Sequence, residues 1–160
     1  MSTGSAGVSR EGDWMQELPS QVAALRRISF FEDLTDADLS RLARIGRRRS
    51  YAAGEAMVEK DSDRGGLFVI LSGAAEVDAG GAVHVLESGD FFGELALLAG
   101  SRRTATVRAT EPVQAMVFEM MYFRPFLIEN PSVAVTLLEG VAERLNAAQE
   151  RLDAERAWRG

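Results

Sequence analysis

Cysteine is absent from the 160 residues, so disulfides and thiolate zinc sites are excluded, and the expected compartment is the cytoplasm. There is one histidine, His84, which rules out a histidine-rich metal centre or a mechanism built on a histidine pair. No run approaches the ~20 apolar residues that a membrane-spanning helix requires. Met1 to Gly12 has neither the basic nor the apolar segment of a secretory signal. Acidic residues outnumber basic ones, 24 against 18, and the net charge of −6 is the wrong sign for a broad nucleic-acid surface. No nucleophile stands beside a base partner, so no catalytic residue is assigned and the chain reads as a binding protein, not an enzyme.

What is present is ordinary for a globular domain, with 46% apolar and 26% charged residues, and the length suits one domain. Residues 1–13, rich in Ser and Gly, carry too little apolar surface to offset their ordering entropy and are expected to be a disordered tail. Residues 14–160 then form a single domain, with helices over 14–46, strands over 47–120 and helices over 121–160. Trp14, Met15, Leu18, Val22 and Leu25 recur near helical spacing, and Pro19 is expected to divide them into two short pieces. Arg26-Arg27-Ile28-Ser29 has the form of a basophilic kinase site but reads better as a charged helix end leading into Phe30 and Phe31. Thr35-Asp36-Ala37-Asp38 has the form of a capping box. It precedes a helix whose apolar face is Leu39, Leu42, Ala43 and Ile45 and whose stop is Gly46. Arg47, Arg48 and Arg49 read as a solvated junction between that helix and a strand.

From Ser50 onward, glycines punctuate short strands, which argues a sandwich or barrel. Leu67 to Leu71 is a continuous buried run. Ala75, Val77, Val83 and Val85 carry the next strands around a hairpin at 79–82. Val107 and Ala109 alternate with Thr106, Arg108 and Thr110, and Val113 to Met120 supplies the last strand. The fold class is therefore α+β, mainly β, with antiparallel strands. Tyr122 to Ile128 is helical, with Pro125 a candidate interruption, and Asn130-Pro131-Ser132 caps and restarts a helix. Its apolar stripe is Val133, Leu137, Leu138, Val141, Leu145 and Leu152. The stripe thins past Leu145, which leaves a face awaiting a ligand, a second subunit or a further domain.

The chain is organised around Gly89 to Ala109: a glycine turn, a short helical run at Leu95, Leu97 and Leu98, a second turn at Gly100 and Ser101, then a strand. A glycine followed at once by a helix start leaves unpaired N–H groups that suit an anion, and Arg102 and Arg103 close the loop from its far side. Neither the triphosphate loop Gly-x-x-x-x-Gly-Lys-Ser/Thr nor the dinucleotide loop Gly-x-Gly-x-x-Gly is present. Glu94, Asp90 and His84 are the polar groups nearest a plausible pocket.

The order Gly93-Glu94-Leu95-Ala96, then Arg103-Thr104-Ala105-Thr106, resembles the phosphate-binding cassette of the cyclic nucleotide-binding domain family. That family supplies the sensors of cAMP receptor proteins, cyclic-nucleotide-dependent kinases and gated channels. The likeness covers roughly residues 25–145. It implies an antiparallel jelly-roll β-roll that binds a cyclic nucleotide and moves its C-terminal helix in response.

By the same resemblance Arg103 takes the ring phosphate, Glu94 accepts from the ribose 2′-hydroxyl, and backbone N–H groups of Gly93, Leu95, Ala96 and Ala105 complete the cradle beside Phe92. Thr104 matches a position whose hydroxyl can reach the guanine amino group. Threonine there also accompanies adenine, so the ligand expected is cAMP with cGMP permitted, and no metal. Arg102 replaces a frequent proline and reads as a surface charge. Arg144, Leu145 and Ala148 of the last helix are the lid candidates. Lys60, in the turn from Glu59 to Gly66, stands where a Gly-Asp pair is usual. The resemblance leaves three settings open: a free-standing sensor, the sensor part of a Crp-like transcription regulator, or part of a cyclic-nucleotide-gated channel. The C-terminal helix is the expected contact for a homodimer or an effector domain.

Overall fold

A computed structural model describes residues 13–59, 66–79, 82–93 and 105–159. Helix α1 (Asp13–Arg26), a 3-10 turn (Ser29–Phe31) and helix α2 (Asp36–Ile45) lead into strands β1 (Gly46–Tyr51), β2 (Ala56–Val58), β3 (Leu67–Ser72), β4 (Ala74–Ala79), β5 (Ala82–Glu87), β6 (Phe91–Phe92), β7 (Thr106–Ala109) and β8 (Val113–Phe118). Helices α3 (Met120–Glu129) and α4 (Pro131–Arg159) follow. The strands form two four-stranded sheets, β1-β8-β3-β6 and β2-β7-β4-β5. Every pairing is antiparallel. The mainly-β antiparallel roll with flanking helices is the architecture expected from the sequence.

Strands β3, β6 and β8 of the first sheet are covered on both faces, and their period of two shows how. Leu67 and Val69 of β3, Phe91 of β6 and Met116 and Phe118 of β8 pack with the helices. Phe68 and Ile70, Phe92, and Val113 and Ala115 point the other way, into the space between the sheets. This explains why β3 is apolar without alternation. The helical side is joined by an aromatic column: Phe31 meets Phe118 edge-on at 6.5 Å, Phe118 stacks with Phe123 at 5.3 Å, and Phe123 with Phe126 at 6.1 Å.

Several sequence expectations change. Pro19 lies inside a continuous α1, and Pro125 inside a continuous α3. A proline costs one ladder hydrogen bond, and both helices are held by packing, with Leu25 of α1 and Phe123 and Phe126 of α3 buried. Thr35 does cap α2, accepting from Asp38 N at 3.2 Å, and Leu39, Leu42 and Ala43 form its buried face. Gly46, however, is no left-handed stop: its φ of −91° and ψ of 156° already belong to β1. Glycine is needed because a Cβ there would lie 2.5 Å from Met116 Cε and 2.6 Å from Phe118 Cε1.

Arg47, Arg48 and Arg49 are solvated, but they belong to strand β1 rather than to a junction before it. They are spaced along an edge strand, where charge discourages pairing with another chain. Arg48 Nε reaches Gln114 Oε1 at 3.3 Å. In β5 the inward face is His84 and Leu86, the latter 8% exposed; Val83 and Val85, expected to carry the strand, are 56% and 60% exposed. Asn130 caps differently from expectation: its Nδ2 donates back to Phe126 O at 3.1 Å, while its backbone carbonyl accepts from Val133 N at 3.0 Å.

Phe118→Ala should cost about 3–5 kcal/mol, read from urea unfolding, because the cavity would open where α3, the 3-10 turn and β8 meet. Gly73 has φ +90°, and a Cβ there would lie 2.2 Å from Pro112 O. Gly73→Ala should therefore destabilise by more than about 1 kcal/mol, and a shift in midpoint within experimental error would contradict this assignment. The hydrogen bond from Arg41, followed by that of Thr35, holds the Asp38 carboxyl below its ordinary value of 3.8. A depressed carboxylate stabilises above its unfolded pKa and loses that contribution as pH falls through the folded one. The stability difference between wild type and Asp38→Asn should thus be present at pH 7 and start to close only below about pH 4.

Candidate functional site

Strand β6 is two residues long, and its side chains are buried on opposite faces. Phe91 joins the helical core, and Phe92 enters the roll interior, stacked on Phe68 at 4.7 Å with 14° between the ring planes. Gly93 follows with φ +88°, a left-handed conformation that a side chain would resist. The chain is next described at Ala105, which is half-buried and directly precedes β7. Since β6 belongs to the first sheet and β7 to the second, the cassette leaves one sheet and returns to the other. Of the sequence candidates, Glu94, Leu95, Ala96, Arg102, Arg103 and Thr104 lie outside the described residues, as does Lys60.

The approach to Gly93 is fixed by backbone bonds. Gly89 N donates to Ile70 O at 2.8 Å, and Ile70 N to Asp90 O at 2.9 Å. The Asp90 carboxylate accepts from Glu87 N at 2.8 Å, and Ser88 Oγ donates to Leu71 O at 2.8 Å. Asp90 is therefore a turn residue, its charge spent on the strand connection. Among the described residues, no group of three or more His, Asp or Glu side chains could hold a metal ion.

Helix α4 lies against this corner. Gly140 allows the contact, since a Cβ there would come within 2.9 Å of the Phe91 ring. One turn on, Arg144 donates to the Phe91 carbonyl and sets its guanidinium carbon 4.1 Å from the Phe91 ring centroid. Arg144, a lid candidate, thus touches the strand that leads into the cassette. Leu145 is 68% exposed and Ala148 half-buried. Two turns beyond Arg144, Arg151 Nη1 lies 2.8 Å from His84 Nε2 and 3.0 Å from Nδ1. Sequence reasoning placed His84 near the pocket but missed this pairing. Its signal was the parity of β5: once Leu86 points inward, His84 must do so too.

Known proteins share both the sequence and the shape of this chain. Over 148 residues it is 29% identical to a cyclic nucleotide-gated potassium channel of Mesorhizobium japonicum, covering 92% of this chain and 40% of the channel. The chain spans only 27%, 33% and 40% of three curated relatives, all potassium channel proteins. Among solved structures, PKAR CBD2 with Sp-2Cl-cAMPS bound superposes with a TM-score of 0.71 at 22% identity, covering 83% of this chain and 92% of that one. The catabolite activator protein of Thermus thermophilus superposes with a TM-score of 0.68 at 25% identity, covering 78% of this chain and 61% of that one. The family model described as cyclic nucleotide-binding domain matches residues 48–130, more than half of the sequence, and the chain belongs to that family.

Proposed function

We propose that the chain binds a cyclic purine nucleotide, cAMP or cGMP, in the cassette from Phe92 to Ala105, and that residues 14–160 act as one regulatory unit without catalytic activity. The observation that carries this reading is Gly93 at φ +88°, set at the end of a strand whose neighbours Phe91 and Phe92 are buried on opposite faces. A loop entered from a left-handed glycine and anchored in two different sheets can turn its backbone N–H groups toward one anion.

In this reading Arg103 holds the ring phosphate, Glu94 the ribose hydroxyl, and Leu95, Ala96 and Ala105 supply backbone donors. Arg102 stays at the rim, and Thr104 faces the base with Arg144 and Leu145 on the helix side. Among the described residues no helix is long and apolar enough to cross a membrane. The cytoplasm is the setting we assign. The whole protein is a channel, a Crp-like regulator or a free sensor, and the site chemistry is common to all three.

The output runs through α4. Phe91 is tied to this helix by the Gly140 contact and by both Arg144 interactions, so a shift of Phe92 and Gly93 on ligand binding changes what α4 packs against. A ligand moves such an element only through different affinity for its two positions. A second copy of the chain or an effector domain then reads α4. This is favoured by Leu138, Leu145 and Leu152, which repeat every seventh residue and are 66%, 68% and 49% exposed.

Calorimetric titration with cAMP and cGMP tests the site. Arg103→Ala should weaken binding by about 2–5 kcal/mol with thermal unfolding unchanged. Absence of binding of both nucleotides to the wild type at ~100 μM, weaker than roughly −5.5 kcal/mol, would sink the reading. Gly140→Leu should push α4 off Phe91, seen as faster amide exchange in α4 without ligand; unchanged exchange would remove the proposed route.

A further inference from the structure

We infer that the contact between His84 and Arg151 is a proton-controlled latch, which holds the distal half of α4 on the roll while the imidazole is neutral and releases it when the imidazole takes a proton. The latch needs no ligand and stands apart from the cyclic nucleotide reading. Its starting point is how little else holds that half of the helix. Of the 29 residues of α4, Val133 and Leu137 are the buried ones, and both lie near its beginning. Gly140 and Arg144 then fasten the middle of the helix to Phe91. From residue 145 onward only Ala148 is half-buried, and residues 149–159 are all exposed. A segment that buries so little surface has low local stability, so a single polar contact can decide whether it stays in place.

Arg151 makes that contact, two turns and about 10 Å along the helix axis beyond Arg144. Its Nη1 lies 2.8 Å from His84 Nε2 and 3.0 Å from Nδ1, so one guanidinium nitrogen stands within reach of both ring nitrogens. A guanidinium only donates, and it keeps its charge throughout the physiological pH range. A neutral imidazole has one nitrogen free to accept, which suits Arg151. Once protonated it has two donors and no acceptor, whichever nitrogen took the proton, and it sets a second positive charge beside the first. Attraction becomes repulsion at one site. Imidazole is the side chain that makes this change between about pH 8 and pH 5, and His84 is the sole histidine of the chain.

The groups around His84 do not offset that repulsion. Within its own sheet His84 pairs with Val77, and Val77 with Val107. Glu76 and Asp78 of β4 pair with Val85 and Val83, so they belong with Glu87 and Arg108 to the opposite face of the sheet. The other sheet turns Phe68, Ile70 and Phe92 toward the roll interior, all apolar. On α4 the ionisable neighbours of Arg151 are Glu150 beside it and Glu155 one turn on, while Asp153 accepts from Gln149 Nε2 at 3.2 Å. Among the described residues no carboxylate forms an ion pair with His84 or Arg151. A protonated His84 is thus left facing the guanidinium alone, and the distal half of α4 is the part free to move away.

Because the chain has no cysteine, nitroxide labels can be placed at Glu87→Cys in β5 and Ala157→Cys in α4, both exposed positions. Pulsed electron paramagnetic resonance on the full, ligand-free chain then reads the distance between them at about pH 8 and about pH 5.5. With His84 and Arg151 intact, one short distance should dominate at the higher pH, and its population should fall several-fold at the lower pH in favour of longer, broader distances. His84→Gln keeps an acceptor for Arg151 but takes no proton, so it should hold the short distance at both. Arg151→Ala should give the longer distances at both, and Glu155→Gln should behave as the parent. The inference is overturned by distances in the parent that do not change with pH, by the same change in His84→Gln, or by a short distance in Arg151→Ala at both pH values. Loss of the change in Glu155→Gln would also overturn it, by making a carboxylate the titrating group. Whether the chain binds a nucleotide does not enter any of these outcomes.

Discussion

Phe118 is the residue through which the parts of this protein are aligned. It ends the β8 strand, which lies between β1 and β3, and it is fully buried. One edge meets Phe31 from the N-terminal segment, and one face meets Phe123 from the helix that follows. Aromatic pairs of this geometry add about 0.5–1.5 kcal/mol each beyond the area they remove from water. The N-terminal and C-terminal helices pack on the same face of this sheet. Helix α4 runs past β6, the outer strand of that same sheet.

The packing is asymmetric between the two sheets. The first is buried on both faces at β3, β6 and β8, and β3 reads as a near-continuous apolar sequence. The second is covered on its inner face only, and its outer face carries Glu76, Asp78 and Arg108 in solvent. Strands β5 and β6 are each the terminal strand of their sheet. The described chain leaves the first sheet at Gly93 and resumes at Ala105, just before β7 of the second. Helix α4 touches both sheets, at Phe91 of β6 and at His84 of β5. The contact of α4 with the first sheet is carried by few residues: Phe91, Gly140 and Arg144.

The glycines show how different the reasons for one residue type can be. Gly73 and Gly93 adopt left-handed backbone that a side chain resists. Gly46 and Gly140 do not: each occupies a spot where a Cβ would strike an aromatic ring. The first kind is visible as punctuation between strands. The second is invisible until the partner ring is known, which is why Gly46 reads as a helix stop and Gly140 draws no notice at all.

Local chemistry is enough for much of this protein. The Thr35 cap, the alternation of β7, the β4 and β5 hairpin and the Gly93 turn all depend on neighbours within a few residues, so each is legible in the order of the residues alone. The family resemblance, too, rests on a contiguous stretch. What the sequence could not decide was set by contacts between distant residues. Packing carried α1 and α3 through Pro19 and Pro125, because burial of Leu25, Phe123 and Phe126 outweighs one missing hydrogen bond. The parity of β5, and with it the inward His84, followed from where Leu86 had to be buried. The meeting of Arg151 with His84 spans 67 positions. It exists because the sheet and helix bring them together, and no pattern of nearby side chains encodes such a meeting.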